Sequence, residues 1–246
     1  MAPLPEGACP PGGARVYYAY PSALDATVRG QLMALLSSEE RQRHARFRFE
    51  RDRDLYVLAH GMLRRVLSRH AGVPPATLEF RTLEHGRPEL AAPEAALSLR
   101  FNLTHTEGLA ACAVAVGRAV GVDAERVTRD ADIRALSPRV FSTDERRAID
   151  ERDGQAARDR FFEHWTLKEA YVKAVGKGLS LPLRNITTTP ASDGSAQLRL
   201  VDIDDAPERW LLRLHRAGTE HQLAVVLEAG QGAKVTFEEL PADQLV

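Results

Sequence analysis

Cysteine and long apolar runs are scarce in this chain of 246 residues. Its two cysteines, Cys9 and Cys112, lie in a proline- and glycine-rich start and in an apolar run, so the pattern excludes a disulfide framework and favours a reducing compartment. The most apolar segment, residues 109–116, is far too short to cross a bilayer. The first residues lack the basic and apolar regions of a secretory signal. We therefore expect a cytoplasmic protein without a membrane partner.

A strong charge of one sign is also absent. The formal net charge is −1, so bulk charge gives no reason to expect a nucleic acid partner. Any anionic ligand must therefore be held by a local cluster of cations. Lysine occurs only at positions 168, 173, 177 and 234, and the other permanent cations are arginines. Such clustering indicates either a need for compact ammonium groups or a solvated helix face.

Two stretches of the chain share the pattern of a helix start followed by a long helix. Ser37 and Ser142 are each followed three residues later by glutamate, the capping-box pattern that begins a helix. A charged helix is predicted from Ser37 through residue 53. Apolar periodicity then predicts an amphipathic helix over residues 55–70 and a long one over 161–175, each ended by glycine.

Alternating and apolar runs predict β-strands after each set of helices. The predicted strands cover residues 99–103, 109–116, 119–125, 197–202, 210–215 and 222–227. The second and third are separated by Gly117-Arg118, which predicts a hairpin. We therefore predict an α+β fold of two similar α/β halves, 15–118 and 119–246, after a disordered leader over 1–14.

Two acids on one predicted strand form the first candidate site. In GVDAE at 121–125, side chains alternate between faces, so Asp123 and Glu125 point the same way. Like charges repel, and a divalent cation removes that repulsion; carboxylate oxygens suit Mg²⁺ or Mn²⁺. A solvated strand end that carries two acids is the alternative interpretation.

A mixed stripe on the second long helix forms another candidate. Trp165, Glu169 and Lys173 are four residues apart and therefore share one helix face. A Glu–Lys pair beside a core tryptophan is one interpretation, but a solvated face seldom carries a large aromatic side chain, which favours a cleft wall. Gly176 and Gly178 follow and permit close backbone approach to a ligand, although Gly176 also fits a plain helix cap.

Together these segments resemble the signature of the surfactin-synthetase-activating type of 4′-phosphopantetheinyl transferase. That family pairs G-[VI]-D-x-E with W-x-x-K-E-[AS]-x-x-K-x-x-G-x-G-L, and this chain has GVDAE at 121–125 and WTLKEAYVKAVGKGL at 165–179. Three further elements match in the family's order, namely GRPEL at 86–90, FNLTH at 101–105 and FSTDE at 141–145.

The resemblance implies a reaction and a fold. The reaction is transfer of 4′-phosphopantetheine from coenzyme A to a serine of an apo acyl or peptidyl carrier protein, with release of adenosine 3′,5′-bisphosphate. The carriers of this family belong to fatty-acid, polyketide and nonribosomal-peptide synthesis, and residues 126–141 are the candidate docking surface. The implied fold is a monomer whose two halves are related by a pseudo-two-fold axis.

Residue by residue, the resemblance also implies roles. Mg²⁺, with Mn²⁺ as an alternative, would be held by Asp123, Glu125 and Glu169. The implied catalytic residues are Glu169 as base, Lys173 on the phosphate under attack, and Asp123. The implied contacts to coenzyme A are Arg43, Arg46, Arg53, Gly86, Arg87, Pro88, Thr104, His105 and Lys173. Of these, His105 would bind the 3′-phosphate, and Gly86, Arg87 and Pro88 would lie against the adenine.

Two other functions compete with this interpretation. A Mg²⁺-dependent nuclease also uses paired acids and a nearby lysine, but such sites usually place a lysine two residues after the second acid, where this chain has Val127. Near-neutral charge and the lack of a basic, aromatic groove also argue against it. The third possibility is a non-catalytic module that binds carriers or nucleotides, against which the intact acidic and lysine motif residues count.

Overall fold

A computed structural model describes residue 9 and residues 12–83, 86–178, 181–229 and 232–245. Within these residues the α-helices are α1 (Ala26–Leu35), α2 (Ser38–Ala45), α3 (Glu50–Ala71), α4 (Ile133–Val140), α5 (Thr143–Asp150) and α6 (Gly154–Val175). The strands are β1 (Ala14–Ala19), β2 (Glu79–Thr82), β3 (Pro88–Ala92), β4 (Leu99–Thr106), β5 (Leu109–Val116), β6 (Val120–Arg126), β7 (Ile186–Pro190), β8 (Ser195–Leu200), β9 (Trp210–Ala217), β10 (His221–Glu228) and β11 (Val235–Glu239). In this described part, none of the helices is both long and apolar enough to cross a membrane.

The order of elements repeats along the chain. One strand, three helices and four strands run from β1 to β5, and the same order runs from β6 to β10. The equivalent helices α3 and α6 each have 22 residues. Both predicted capping boxes are confirmed, at Ser37 with Glu40 and at Ser142 with Glu145. The α+β class is thus confirmed, and the repeated order supports an internal duplication.

The strands form two stacked sheets with helices on their outer faces. The first sheet has the order β11-β1-β5-β4 and the second has the order β6-β10-β9-β8-β7, while β2 and β3 form a separate hairpin. Alternate apolar side chains of β1, β5, β6 and β10 fill a core between the sheets. The opposite face of the first sheet packs against α1 and α3, and that of the second sheet packs against α6.

The predicted hairpin over residues 109–125 is wrong. Strand β5 pairs with β1 and β4, whereas β6 pairs with β10, so the chain passes from one sheet to the other at residues 117–119. The Gly117 amide donates to the Ser98 carbonyl, and the Ala119 amide donates to the Glu228 carboxylate, which fixes this passage. Both strands are buried on two faces, and apolar runs joined by turn residues occur in either arrangement.

Three predicted boundaries also differ from the structure. The disordered leader predicted over 1–14 differs from the structure at two positions. Cys9 is buried and its thiol donates to the Val114 carbonyl, and β1 begins at Ala14. Residues 1–8, 10 and 11 lie outside the described residues. Strand β11 pairs in parallel with β1, so residues 235–239 join the first sheet rather than the C-terminal half. The charged helix is interrupted at residues 46–49, where the Arg53 guanidinium donates to the backbone carbonyls of Phe47 and Arg48.

Each capping glutamate also anchors the long helix that follows it. Glu40 Oε2 lies 2.8 Å from Arg64 Nε on α3, and Glu145 Oε2 lies 2.6 Å from Lys168 Nζ on α6. In both cases a histidine one turn before the cation also contacts the glutamate. The same ionic arrangement therefore joins the equivalent helices of the two halves.

Candidate active site

A buried carboxylate and an ammonium group meet where α6 crosses β6. Lys173 Nζ lies 2.6 Å from Asp123 Oδ1 and 3.2 Å from both Thr104 Oγ1 and the Val122 carbonyl. Asp123 is 6% exposed, and burial raises the pKa of its carboxyl while Lys173 opposes the rise. The structure therefore brings three predicted site residues, Thr104, Asp123 and Lys173, into direct contact.

Close packing of α6 on β6 places these groups together. A Cβ atom added at Gly121 would lie 2.1 Å from the Ala170 carbonyl oxygen and 2.4 Å from the Ala174 nitrogen. Only glycine permits that approach, because any side chain would push the helix away. Val122 and Ala124 lie in the core between the sheets, which confirms that Asp123 points to the opposite face.

The second acid of the motif already has partners on both carboxylate oxygens. The Trp165 indole donates to Glu125 Oε1 at 2.7 Å, and Arg129 Nε lies 3.2 Å from Glu125 Oε2. Burial raises the pKa of Glu125, and the nearby Asp123 charge raises it further. Trp165 of the helix stripe thus orients an acid of β6, whereas Arg129 is a cation that sequence reasoning did not assign to the site.

Glu169 completes a set of three electrostatically coupled acids. It lies on α6 one turn before Lys173, and burial raises the pKa of its carboxyl. The charges of Asp123 and Glu125 raise that pKa further, whereas Lys173 lowers it. Burial is the first cause of all three raised pKa values, and buried carboxylates that also repel one another favour a shared cation.

The donor chemistry fits a hard divalent cation. Asp123 Oδ2 is buried and has no hydrogen-bond partner among the described residues, and carboxylate oxygens are the ligands that Mg²⁺ and Mn²⁺ prefer. Over the described ranges, no three acidic, histidine or cysteine side chains are already gathered as metal ligands. Glu125 is held instead by Trp165 and Arg129, so among the described residues of this cluster the buried carboxylate oxygen without a partner is Asp123 Oδ2.

Strand β4 supplies the N-terminal wall of the site. The Val122 amide donates to Asn102 Oδ1 at 2.9 Å, so a buried asparagine ties β4 directly to β6. His105 is exposed at the end of the same strand. Partial desolvation lowers the pKa of His105, and the nearby His60 and Lys173 lower it further. Asn102 lies inside the matched segment FNLTH, but its role in joining β4 to β6 depends on how the two sheets stack and cannot be predicted from the sequence.

A cavity adjoins strand β4 in the N-terminal half. Its volume is about 610 Å³, and it lies between α2, α3 and the β2–β3 hairpin. Two predicted contacts to coenzyme A, Arg43 and Pro88, line it together with Glu40, His60 and Leu103. Leu103 lines this cavity, whereas its neighbour Thr104 points to the opposite face of β4 and contacts Asp123, so the cavity and the cluster of acids lie on either side of the same strand end.

The remaining predicted contacts lie elsewhere or have partners within the chain. Arg46 is exposed at the end of α2, and Arg53 donates to the Phe47 carbonyl. Gly86 has φ +80° and is exposed. The Arg87 guanidinium donates to carbonyls at the end of α6. Leu179, the last residue of the matched segment 165–179, lies outside the described residues.

Lys168, the first lysine of the cluster, is a structural residue. Its ammonium group is fully buried, pairs with Glu145, and donates to the carbonyls of Val140 and Leu183 at 2.8 Å. Burial lowers the pKa of Lys168, and Glu145 opposes that effect. The clustering of lysines therefore combines one internal ion pair with one site residue, Lys173.

Comparisons with known proteins agree with the motifs. Residues 119–226 match the 4′-phosphopantetheinyl transferase superfamily, and residues 27–116 match the N-terminal region of 4′-phosphopantetheinyl transferases. The chain is 34% identical to the 4′-phosphopantetheinyl transferase HetI of Nostoc sp. over 84% of each chain. It is 30% identical to the 4′-phosphopantetheinyl transferase Sfp of Bacillus subtilis, over 70% of this chain and 74% of that protein.

One solved structure that aligns with part of this chain is the holo-[acyl-carrier-protein] synthase of Thermotoga maritima. It aligns with 46% of this chain and 64% of its own, with a TM-score of 0.39 and 21% identity. The family assignment depends on the sequence relatives, which cover most of the chain. The chain therefore belongs to the 4′-phosphopantetheinyl transferases, as its motifs predict.

Proposed function

We propose that this chain transfers 4′-phosphopantetheine from coenzyme A to a serine of an apo carrier protein, with Mg²⁺ as its metal. The observation that carries the proposal is the contact of Lys173 with Asp123 and Thr104, beside Glu125 and Glu169, in a chain of this family. A nuclease has no support from these relatives, and the acids and lysine of a catalytic site are intact.

In the proposed reaction the serine oxygen attacks the phosphorus atom nearer pantetheine. The bond from that phosphorus to the leaving adenosine 3′,5′-bisphosphate breaks, and the serine proton passes to a base. Glu169 is the base in this proposal, because it lies on α6 one turn before Lys173 and so beside the phosphate that the serine attacks. Lys173 contributes positive charge beside the phosphoryl oxygens, where charge builds in the transition state.

Asp123, Glu125 and Glu169 are the residues that would hold the metal. When bound, the cation supplies positive charge to the pyrophosphate of coenzyme A. Asp123 offers the buried oxygen that lacks a partner, and Trp165 keeps Glu125 on the same face. Arg129 competes for Glu125, so Arg129→Gln should tighten Mg²⁺ binding a few-fold in a calorimetric titration.

Coenzyme A is proposed to lie across the end of β4. The cavity lined by Arg43 and Pro88 then takes the nucleotide end, and His105 and Thr104 face the phosphates.

The carrier is proposed to dock on α4, where Leu136 is exposed between Arg134 and Arg139, since an acidic, helical partner complements such a surface. Arg134→Glu should raise the KM for the carrier and leave the KM for coenzyme A unchanged. A cytoplasmic monomer completes the proposal, because one chain supplies both halves of the site.

Mass spectrometry of an apo carrier protein, incubated with this protein, coenzyme A and Mg²⁺, tests the proposal directly. We expect a gain of one phosphopantetheine group, lost in Glu169→Gln and in the presence of a chelator. Glu163→Gln is the matched control, because Glu163 lies on α6 and pairs with Arg160 outside the site. Coenzyme A binding with no transfer to fatty-acid, polyketide or peptide-synthetase carriers would point to a binding module instead.

A further inference from the structure

Arg87 connects the N-terminal half to the helix that carries Glu169 and Lys173. Its Nη1 donates to the carbonyls of Lys173 at 3.3 Å and Ala174 at 3.2 Å, and its Nη2 donates to the Val120 carbonyl at 3.4 Å. The guanidinium thus contacts the last turn of α6 and the first residue of β6 at the same time. The side chain itself starts beside the β2–β3 hairpin, in the other half of the fold.

Arg87 provides hydrogen-bond donors for carbonyls at the C-terminal end of α6. The last four carbonyls of an α-helix have no partner within the helix. The Gly176 amide donates to the Val172 carbonyl, which leaves those of Lys173 and Ala174 for Arg87. A cation at this position also interacts favourably with the helix dipole. Two motifs that the sequence presents as separate, GRP and GKG, therefore meet in one contact.

The packing around this contact is close on both sides. Gly176 has φ +75°, and a Cβ atom added there would lie 3.3 Å from Arg87 Nη1. The backbone of Arg87 is fixed as well, because its carbonyl accepts from the Leu83 amide at 2.8 Å. The guanidinium therefore has little freedom to turn away from α6 toward a ligand.

We propose that Arg87 is a positioning residue, whose guanidinium holds the last turn of α6 against the start of β6 and so keeps Lys173 beside Asp123. The inference deepens the proposed function, since it concerns the same site. It assigns the side chain a role other than contact with the adenine. A displacement of about 1 Å at a reacting group can cost roughly 100-fold in rate, so loss of this contact should appear in kcat.

The test compares Arg87→Met and Arg87→Lys in the full chain. The matched control is Arg100→Met, because Arg100 donates only to the nearby carbonyls of Leu97 and Leu99 among the described residues. We expect Arg87→Met to lower kcat by about 10–100-fold. Its KM for coenzyme A and its Kd for adenosine 3′,5′-bisphosphate should stay within about twofold of wild type. Arg87→Lys should recover part of the loss, because an ammonium group can still donate to these carbonyls.

Chemical rescue separates positioning from general damage to the fold. A cavity of about 250 Å³ adjoins Arg87, so guanidinium ion added to Arg87→Ala should restore part of kcat. A raised Kd for adenosine 3′,5′-bisphosphate with unchanged kcat would overturn the proposal in favour of a nucleotide contact. An unchanged kcat and Kd together would also overturn it.

A second readout keeps the inference apart from the proposed function. Hydrogen exchange of the backbone amides in the last turn of α6 should quicken in Arg87→Met and stay unchanged in Arg100→Met. If the wild-type chain transfers nothing, the proposed function fails, whereas the exchange result still decides whether Arg87 holds this turn. Unchanged exchange in Arg87→Met would overturn the positioning role by itself.

Discussion

The ion pair of Asp123 and Lys173 should show strong energetic coupling in a double-mutant cycle. Asp123 is 6% exposed, and Lys173 Nζ lies 2.6 Å from its carboxylate. Lys173→Met leaves that carboxylate buried without its cation, and removal of one partner of a buried pair typically costs about 3–5 kcal/mol. The Lys173 side chain is 28% exposed, so solvent screens the pair and we expect about 2–3 kcal/mol.

The double variant should be more stable than the single variants predict. Asp123→Asn with Lys173→Met leaves no unpaired charge, so we expect a total loss of about 1 kcal/mol and a coupling energy of about 2 kcal/mol. Mg²⁺ should also stabilise Lys173→Met more than wild type, because the cation then replaces the missing ammonium group beside Asp123. The Asp123→Asn variants should show little response to Mg²⁺.

Urea unfolding followed by circular dichroism measures all four corners of the cycle. The experiment is run at pH 7 with a chelator and again with Mg²⁺, and the exposed Lys234→Met serves as control. Single losses that simply add up in the double variant would refute the reasoning. Equal stabilisation of every variant by Mg²⁺ would refute the link between this pair and the metal.

Three further predictions concern packing, an internal ion pair and pH. Gly121→Ala should destabilise the protein by about 3 kcal/mol or more in urea unfolding, because its Cβ would collide with the α6 backbone. Gly30→Ala, at an exposed position of α1, should instead stabilise the protein by about 0.5–1 kcal/mol. Lys168→Met should cost about 3–5 kcal/mol of stability because it leaves the buried Glu145 carboxylate without its cation, yet kcat per folded molecule should stay within about twofold. Burial lowers the pKa of His70 to about 4, whereas in the unfolded chain the histidine has its ordinary pKa near 6.5. Between these two pH values the unfolded chain binds one more proton, so the free energy of unfolding should fall as the pH drops from 6.5 to 4. His70→Gln should remove about 2 kcal/mol of that fall.

Local signals explain which parts of the fold are predictable from the sequence. The capping boxes at Ser37 and Ser142 and the helix end at Gly176 depend on residues only a few positions apart, and all three predictions are confirmed. The predicted hairpin of β5 and β6 is wrong, because the pairing of each strand depends on distant strands. The sequence does not predict strand β11, since a short run with mixed polarity becomes a strand only beside β1.

The site shows the same division between local and distant information. Alternation along GVDAE correctly places Asp123 opposite Val122 and Ala124, because a strand fixes this by itself. The sequence cannot show that Lys173 would pair with Asp123, or that Arg87 would reach α6, because these contacts join separate elements. The sequence leaves the role of the lysine cluster open for a related reason. Lys168 is fully buried and Lys173 is not, and this difference in burial depends on how α6 packs against the rest of the fold.

The pairing of β11 with β1 has a consequence for the order in which the protein matures. During synthesis residues 235–239 leave the ribosome more than two hundred residues after the strand beside which they lie. Until then β1 is an edge strand of the first sheet with one side unpaired, while all strands of the second sheet are being synthesised. Closing so long a loop is slow, and exposed strand edges attract other chains. A nascent chain stalled before residue 235 should accordingly be the form most in need of chaperones, even though every residue of the proposed active site has already been synthesised.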